Sequence, residues 1–284
     1  MTTFEEIFFE FFGFFVFLQT KIIFMKKFFY LIISTLFVLS VTSCEKPSHK
    51  RHIYETITNA VTDVDGNHYD AVRIGDQVWM KQNLRTTRYA DGTEIPQSTL
   101  SSDNTPLAEI KPYRWAPNNM DINVQKFGWL YNWRAVIRDS IGSDLNPSGI
   151  QGICPDGWHV PSDAEWTQLT DYVSSDRKMR CWPSVDFSIA KSLSAQSDWN
   201  PAFDKCDVGY DLSQNNATGF SALPAGNAEF DNQFIRMLDW AFFWTSSYGS
   251  NASACIREIQ CDYEGVNKQT GHIKAGNSVR CVKD

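Results

Sequence analysis

Six cysteines, a histidine–glutamate pair and one aspartate-rich turn are the residues of this chain whose types and spacing could do chemistry. The cysteines are Cys154, Cys181, Cys206, Cys255, Cys261 and Cys281, with a seventh, Cys44, far upstream. None stands in a CxxC pair, so the spacing offers neither a zinc knuckle nor a thioredoxin-type redox site, and no metal or other cofactor is expected. An even number of thiols in an exported chain favours disulfides. His159 and Glu165 are close enough in sequence to suggest acid–base work. Glu165 is better used as a helix cap, which leaves His159 as a packing residue beside Trp158, and no catalytic residue is expected. Asp63-Val64-Asp65-Gly66-Asn67 resembles the start of a calcium loop. Ile74 stands at the twelfth position, where such a loop needs a glutamate, so the string is read as turn chemistry.

Cys44 bears on where the chain lives. Met25-Lys26-Lys27 is basic, Phe28 to Val41 is apolar, and Thr42-Ser43 leads into the cysteine. That order is the order of a secretory signal, and its apolar part is too short to span a membrane comfortably. A cysteine at the cleavage point resembles a bacterial lipobox, in which the thiol receives a diacylglycerol and becomes the first mature residue. Cys44 is therefore the expected lipidation site, and the membrane, reached through that lipid, the first expected partner. Residues 1–24 carry Glu5, Glu6 and Glu10 among many phenylalanines, an acidic start where a signal needs positive charge. They are read as an upstream extension with translation starting at Met25, against the alternative of a double hydrophobic anchor. The expected organisation is an extension over 1–24, a lipoprotein signal peptide over 25–43, a lipid-anchored linker over 44–60, and one domain over 61–284. The expected address is the cell envelope, as an outer-membrane lipoprotein; Glu45-Lys46-Pro47-Ser48 contains no acidic run that would decide between its two faces.

Three lysines and three glutamates fall within residues 1–44 and cancel, so the net charge of −7 belongs to the exported part. An acidic body lacks the basic face that nucleic acid requires, and nucleic acid is excluded as a partner. All ten tryptophans lie between Trp79 and Trp244. Bulky aromatics on that scale suit a loop-rich domain with few regular elements, most of them in the core and one or two available to stack on a sugar.

The elements that must position these residues follow from local pattern. Tyr69, Val72, Ile74, Val78 and Trp79 suggest a hairpin about Gly75-Asp76. Residues 90–125, with Pro96, Pro106, Pro112 and Pro117, read as an irregular excursion. Phe127 to Val136 is a compact aromatic strand or short helix. Ser162 and Glu165 form a capping box, Asp163 adds negative charge at the positive end of the dipole, and Trp166, Leu169 and Val173 share one face. A helix from about 163 to 174 follows. A shorter one is expected around Phe187 to Leu193, and strands over 240–247, 254–266 and 278–282. Along the strand 254–266, Cys255, Ile259, Cys261 and Tyr263 share a face, with Arg257 the exception. Cys255 and Cys261 would then stand about 20 Å apart at ~3.3 Å per residue. A disulfide needs a Cα separation of about 4.4–6.8 Å, so these two should not pair unless a turn intervenes. Two helices among short, mostly antiparallel strands and long loops make an α+β fold.

Several long words in a fixed order resemble the Fibrobacter succinogenes major paralogous domain, a family of exported, often lipid-anchored bacterial proteins. They are Ile74 to Leu84, Leu130-Tyr131-Asn132-Trp133, Cys154 to Trp166, Asn216 to Gly226, Trp244-Thr245-Ser246-Ser247 and Ser278 to Asp284. The resemblance runs from about 61 to 284 and carries no activity with it. The helix start Pro161 to Trp166 and the terminal Arg280-Cys281 also resemble the C-type lectin-like fold, especially its formylglycine-generating branch. That likeness implies a disulfide between Cys154 and Cys281, with Cys181 and Cys206 pairing with Cys255 and Cys261 in one order or the other, or staying partly unpaired. It also implies a fold that presents ligands on long loops, here 90–125 and 195–235. The leading expectation is a lipid-anchored, non-catalytic binding or adhesion module for a glycan or an envelope protein. The alternatives are a structural envelope component with no discrete ligand, and a formylglycine-generating-type oxidoreductase holding copper(I) on Cys255 and Cys261. In the last, five residues separate the cysteines where the enzyme pattern has four.

Overall fold

The computed structural model describes residues 17–29, 52–98, 106–182, 187–229, 231 and 233–284. The chain divides into two compact units, Met1–Arg51 and His52–Asp284. In the first, α1 covers residues 17–29, and no helix among the described residues is long and apolar enough to cross a membrane. The expected linker 44–60 gives way to structure earlier than its composition suggests, because β1 (Tyr54–Thr62) already pairs antiparallel with β2 (His68–Ile74).

The second unit is α+β. Its main sheet has the order β1-β2-β3-β12-β6, with β3 spanning Gln77–Met80, β6 Trp158–His159 and β12 Val282–Lys283. The β2–β3 hairpin turns where the sequence places it, with Ile74 opposite Gln77. Gly75 makes that turn at φ +61°, a region a β-carbon resists, and a side chain there would meet the Tyr172 ring at 2.8 Å. The turn before β2 is closed by its own acid. Asp63 Oδ1 accepts from the amides of Asp65 and Asn67 at 3.0 and 2.9 Å, and Oδ2 accepts from the Tyr69 hydroxyl at 2.6 Å. Its oxygens are thus engaged by N–H and O–H donors, the arrangement of a turn.

A second sheet, β11-β10-β9, is built from β9 (Trp240–Tyr248), β10 (Ser253–Gln260) and β11 (Asn267–His272). The strand expected over 254–266 therefore ends at Gln260, turns, and returns as β11. The polar run Asn267–His272 has no apolar alternation of its own; its backbone pairing to β10 makes it a strand. Two-stranded ribbons, β4 (Arg114–Trp115) with β5 (Leu130–Tyr131) and β7 (Asn227–Ala228) with β8 (Phe234–Ile235), complete the sheets.

The helices are α2 (Val124–Phe127), α3 (Trp133–Ile137), α4 (Asp163–Ser175) and α5 (Ala190–Leu193). The segment 127–136 thus contains both a strand and a helix. Around α5, Phe187 and Ser188 stay outside the helix, which starts only at Ala190. At the start of α4 the capping box is formed on both sides: Glu165 N donates to Ser162 Oγ at 3.2 Å, and Ser162 N to Glu165 Oε2 at 2.9 Å. Such a cap contributes about 1 kcal/mol. Trp166, Leu169 and Val173 are fully buried, and Trp166 meets Trp79 edge-on with ring centres 4.9 Å apart. Each such buried aromatic contributes about 1.5–3 kcal/mol. This unit contains three apolar clusters of its own and both disulfides, so it has what a self-standing fold requires.

Arg280 is a polar knot inside that core. It is fully buried with its guanidinium over Phe220 at 4.4 Å. It donates to Asn83 Oδ1 at 2.9 Å, to Ser221 O at 2.7 Å and to Phe220 O. Burial pushes its pKa down to about 9.

Candidate functional site

Cys154 is bonded to Cys281 with a Cα separation of 6.0 Å, and Cys181 to Cys206 at 5.4 Å. Cys255 and Cys261 are free. The expected crossing of Cys181 and Cys206 to Cys255 and Cys261 is therefore corrected. Cys206 lies on the loop that folds back over the segment following α4, within reach of Cys181, whereas Cys255 stands near the start of β10 and Cys261 directly after its end. Cys255 sits near Asp163, Lys268 and Arg257, and Cys261 lies with Sγ 3.9 Å from Asp239 Oδ1. One copper ion held by both sulfurs does not fit that placement, so no step is drawn through copper. Burial pushes both thiols up, Cys261 to about 11, so neither is a ready nucleophile. Arg257, expected to be the exception on the Cys255 face, belongs to it: it is buried, and its Nε donates to Asp163 Oδ1 at 2.8 Å. Among the described residues no group of three or more His, Cys, Asp or Glu is placed to hold a metal.

His159 is held from both sides. Nε2 lies 2.6 Å from Glu165 Oε1 and Nδ1 lies 2.7 Å from Asp284 Oδ1. Burial alone would lower its pKa, but the hydrogen bonds to Glu165 and Asp284 outweigh it and the net shift is upward. With one ring nitrogen against each carboxylate, beside a glutamate that also accepts from the Ser148 amide at 3.1 Å, His159 ties Asp284 to the start of α4. Asp284, 125 residues from His159, is the partner that sequence reasoning missed. Cys44, the expected lipid site, lies outside the described residues.

A concave feature of ligand size lies over the second sheet, on the face turned away from α4. Period-two alternation sends Trp240 and Phe242 of β9, Ile256, Glu258 and Gln260 of β10, and Gln269 of β11 to that face. The opposite face, with Arg257 and Ile259, packs toward α4. The β7–β8 ribbon and the segment before β12 form the wall, through Asn227, Glu229, Ile235, Ala275 and Asn277. The cavity holds about 550 Å3, within the roughly 300–1,000 Å3 of small-molecule sites.

Its polar lining is dominated by acceptors. Asn227 and Asn277 flank the antiparallel pair Ala228–Gly276, so they stand across from each other. They are 7% and 2% exposed, and among the described residues the side-chain oxygen of each accepts no hydrogen bond. Asn227 Nδ2 donates to Glu229 Oε1 at 2.8 Å. Glu258, 5% exposed, accepts from Asn267 Nδ2 at 3.2 Å and from Gln260 Nε2. Among the described residues neither Glu229 nor Glu258 has a cation in ion-pair contact. Arg236 lies 4.6 Å from the centre of the Trp240 ring, and Trp240 leans on Phe242 at 5.6 Å.

Of the two loop regions expected to present ligands, 195–235 contributes Asn227, Glu229 and Ile235, and the described residues of 90–125 contribute nothing to this cavity. A model described as the Fibrobacter succinogenes major domain matches residues 72–283. The chain belongs to that family. No curated protein and no solved structure matches it significantly. The family match opens inside β2, and β1 precedes it at the edge of the main sheet. Every residue lining the cavity falls within the matched region.

Proposed function

We propose that this protein is a lipid-anchored component of the cell envelope, held at the outer membrane through Cys44, and that its folded unit is a non-catalytic binding module. Its ligand, a glycan or an envelope protein, enters the cavity over β9, β10 and β11. A C-type lectin-like arrangement is part of the proposal: it is supported by β12 lying between β3 and β6, the Cys154–Cys281 bond and a ligand face made of one small sheet and irregular walls. The observation that carries the reading is the cavity itself, about 550 Å3 in volume, with Trp240 and Phe242 beneath it and polar side chains around it. His159 and Glu165 are engaged with each other and in the α4 cap.

The test has two arms. Mass spectrometry of the mature protein is expected to find a diacylglyceryl thioether on residue 44, and Cys44→Ser is expected to release the protein from the membrane fraction. The unit His52–Asp284, presented to a panel of glycans and envelope proteins, is expected to retain at least one binder that Trp240→Ala loses. A panel that stays blank would overturn the binding reading and leave a structural envelope role.

A further inference from the structure

A second concave site lies beside the Cys181–Cys206 bond and shares no lining residue with the cavity over β9, β10 and β11. We infer that it receives an oxyanion, phosphate or carboxylate, borne on a body with an apolar face such as a sugar ring or a glycerol headgroup. The cavity holds about 510 Å3, within the range of small-molecule sites. One wall is the segment after α4, with Lys178, Arg180 and Trp182; the other is the loop that runs on from Lys205, with Tyr210. The disulfide joins the two walls at a Cα separation of 5.4 Å, so their spacing is held by a covalent bond.

Charge decides the ligand class. A molecule of net charge −7 lines this cavity with four cations, Lys178, Arg180, Lys191 and Lys205, against one carboxylate, Asp211. That carboxylate is turned to its own loop, where Oδ1 accepts from the Ser213 amide at 3.1 Å and the Ser213 hydroxyl at 2.7 Å. Lys178 and Lys205 are exposed, and among the described residues neither has a carboxylate in ion-pair contact. Arg180 is held in place by a bond from Nε to Ser174 O. Lys191, on α5, is 7% exposed, and its Nζ donates to the carbonyls of Asp207, Asp211 and Val208 at 3.0, 3.2 and 3.5 Å. Those carbonyls solvate the ammonium without neutralising it, whereas buried charges are ordinarily paired. Its N–H groups are occupied, so Lys191 acts through its field, and Lys178 and Lys205 meet the ligand as point charges.

The apolar half of the ligand follows from the aromatics. Trp182 is 79% exposed, whereas the other nine tryptophans are buried or half-buried. Tyr210 is exposed as well. Two exposed rings beside the lysines offer a stacking surface for the C–H groups that carry the anion.

Titration calorimetry on the unit His52–Asp284 would use inorganic phosphate, phosphorylated and uronic-acid sugars, and their neutral counterparts. Flotation would use vesicles of phosphatidylglycerol against vesicles of phosphatidylcholine. The acidic sugars are expected to bind roughly ten-fold more tightly than the neutral ones, and to weaken as salt rises. Lys178→Gln/Lys205→Gln alters two exposed side chains, is expected to leave the melting temperature unchanged, and should weaken the acidic sugars roughly ten-fold. Trp182→Ala is expected to weaken the sugar-borne anion and to leave the weaker binding of inorganic phosphate unchanged. Trp240→Ala, in the other cavity, is expected to change none of this, so failure of this site and failure of the first are read apart. Binding to phosphatidylglycerol vesicles in place of soluble sugars, lost in the same lysine variant, would name a lipid headgroup as the carrier of the anion. Neutral sugars binding as tightly as acidic ones, an unchanged affinity in the lysine variant, or silence from sugars and vesicles alike would overturn the site.

Discussion

Breaking the two disulfides one at a time should separate their effects on stability. The Cys154–Cys281 bond closes 127 residues and the Cys181–Cys206 bond closes 25. In the chain-entropy account the first loop restricts the unfolded chain by about 4.9 kcal/mol and the second by about 3.5 kcal/mol. The difference of about 1.4 kcal/mol is a factor of about ten in the folding equilibrium. Packing adds in the same direction, because Cys154 and Cys281 are fully buried whereas Cys181 is half-exposed. The variants Cys154→Ala/Cys281→Ala and Cys181→Ala/Cys206→Ala of the unit His52–Asp284 would be unfolded in urea without reductant. Thiol titration of the unfolded parent should first find the two free sulfurs of Cys255 and Cys261. The long-loop variant is expected to lose more stability and to show a steeper denaturant slope, since its unfolded chain exposes more surface. Equal losses in the two variants, or a greater loss in the short-loop one, would refute the reasoning, and four free thiols in the parent would refute the pairing.

Three further outcomes follow from the core. The folded pKa of His159 lies above its unfolded value of about 6.5, so its contribution to stability is complete below that pH and fades as pH rises through the folded value; Glu165→Gln should flatten this limb in thermal melts run from pH 5 to 9. Arg280→Met leaves Asn83 Oδ1, Phe220 O and Ser221 O without their donor and should cost about 3 kcal/mol or more in denaturant midpoint, with Arg280→Lys falling between. Gly152→Ala places a carbon 2.0 Å from Val136 O at φ +52° and should lose more than about 3 kcal/mol, whereas Gly149→Ala, with φ +70° and open space, should lose about 1 kcal/mol.

Local signals were legible and distant ones were not. Ser162 and Glu165 announce α4 because both halves of a capping box lie within one turn of chain. Gly75 announces a hairpin because positive φ is needed there. Nothing near Cys181 or Cys206 says that they meet: their bond depends on how the loop after α4 folds, and neither lies on a periodic element. The partnership of Asp284 with His159 depends on β12 lying beside β6, which is a property of the whole sheet. The cavity was half legible. Residues 227–235 belong to an irregular region that was expected to carry ligands, but β11 reads as polar loop until β10 pairs with it, so the Gln269 side of the site gave no periodic signal. Trp240 and Phe242 are indistinguishable from core aromatics in the sequence, because the face they take depends on which side of the sheet α4 covers.

The position of β12 has a consequence for how the molecule comes into being. Residues 282 and 283 are inserted between β3 and β6, which otherwise do not touch within that sheet. The five-stranded layer therefore closes only once strands about two hundred residues apart along the chain have met. Contacts of that span make the search slow, so the layer sets late, after the hairpin of β2 and β3 has formed locally.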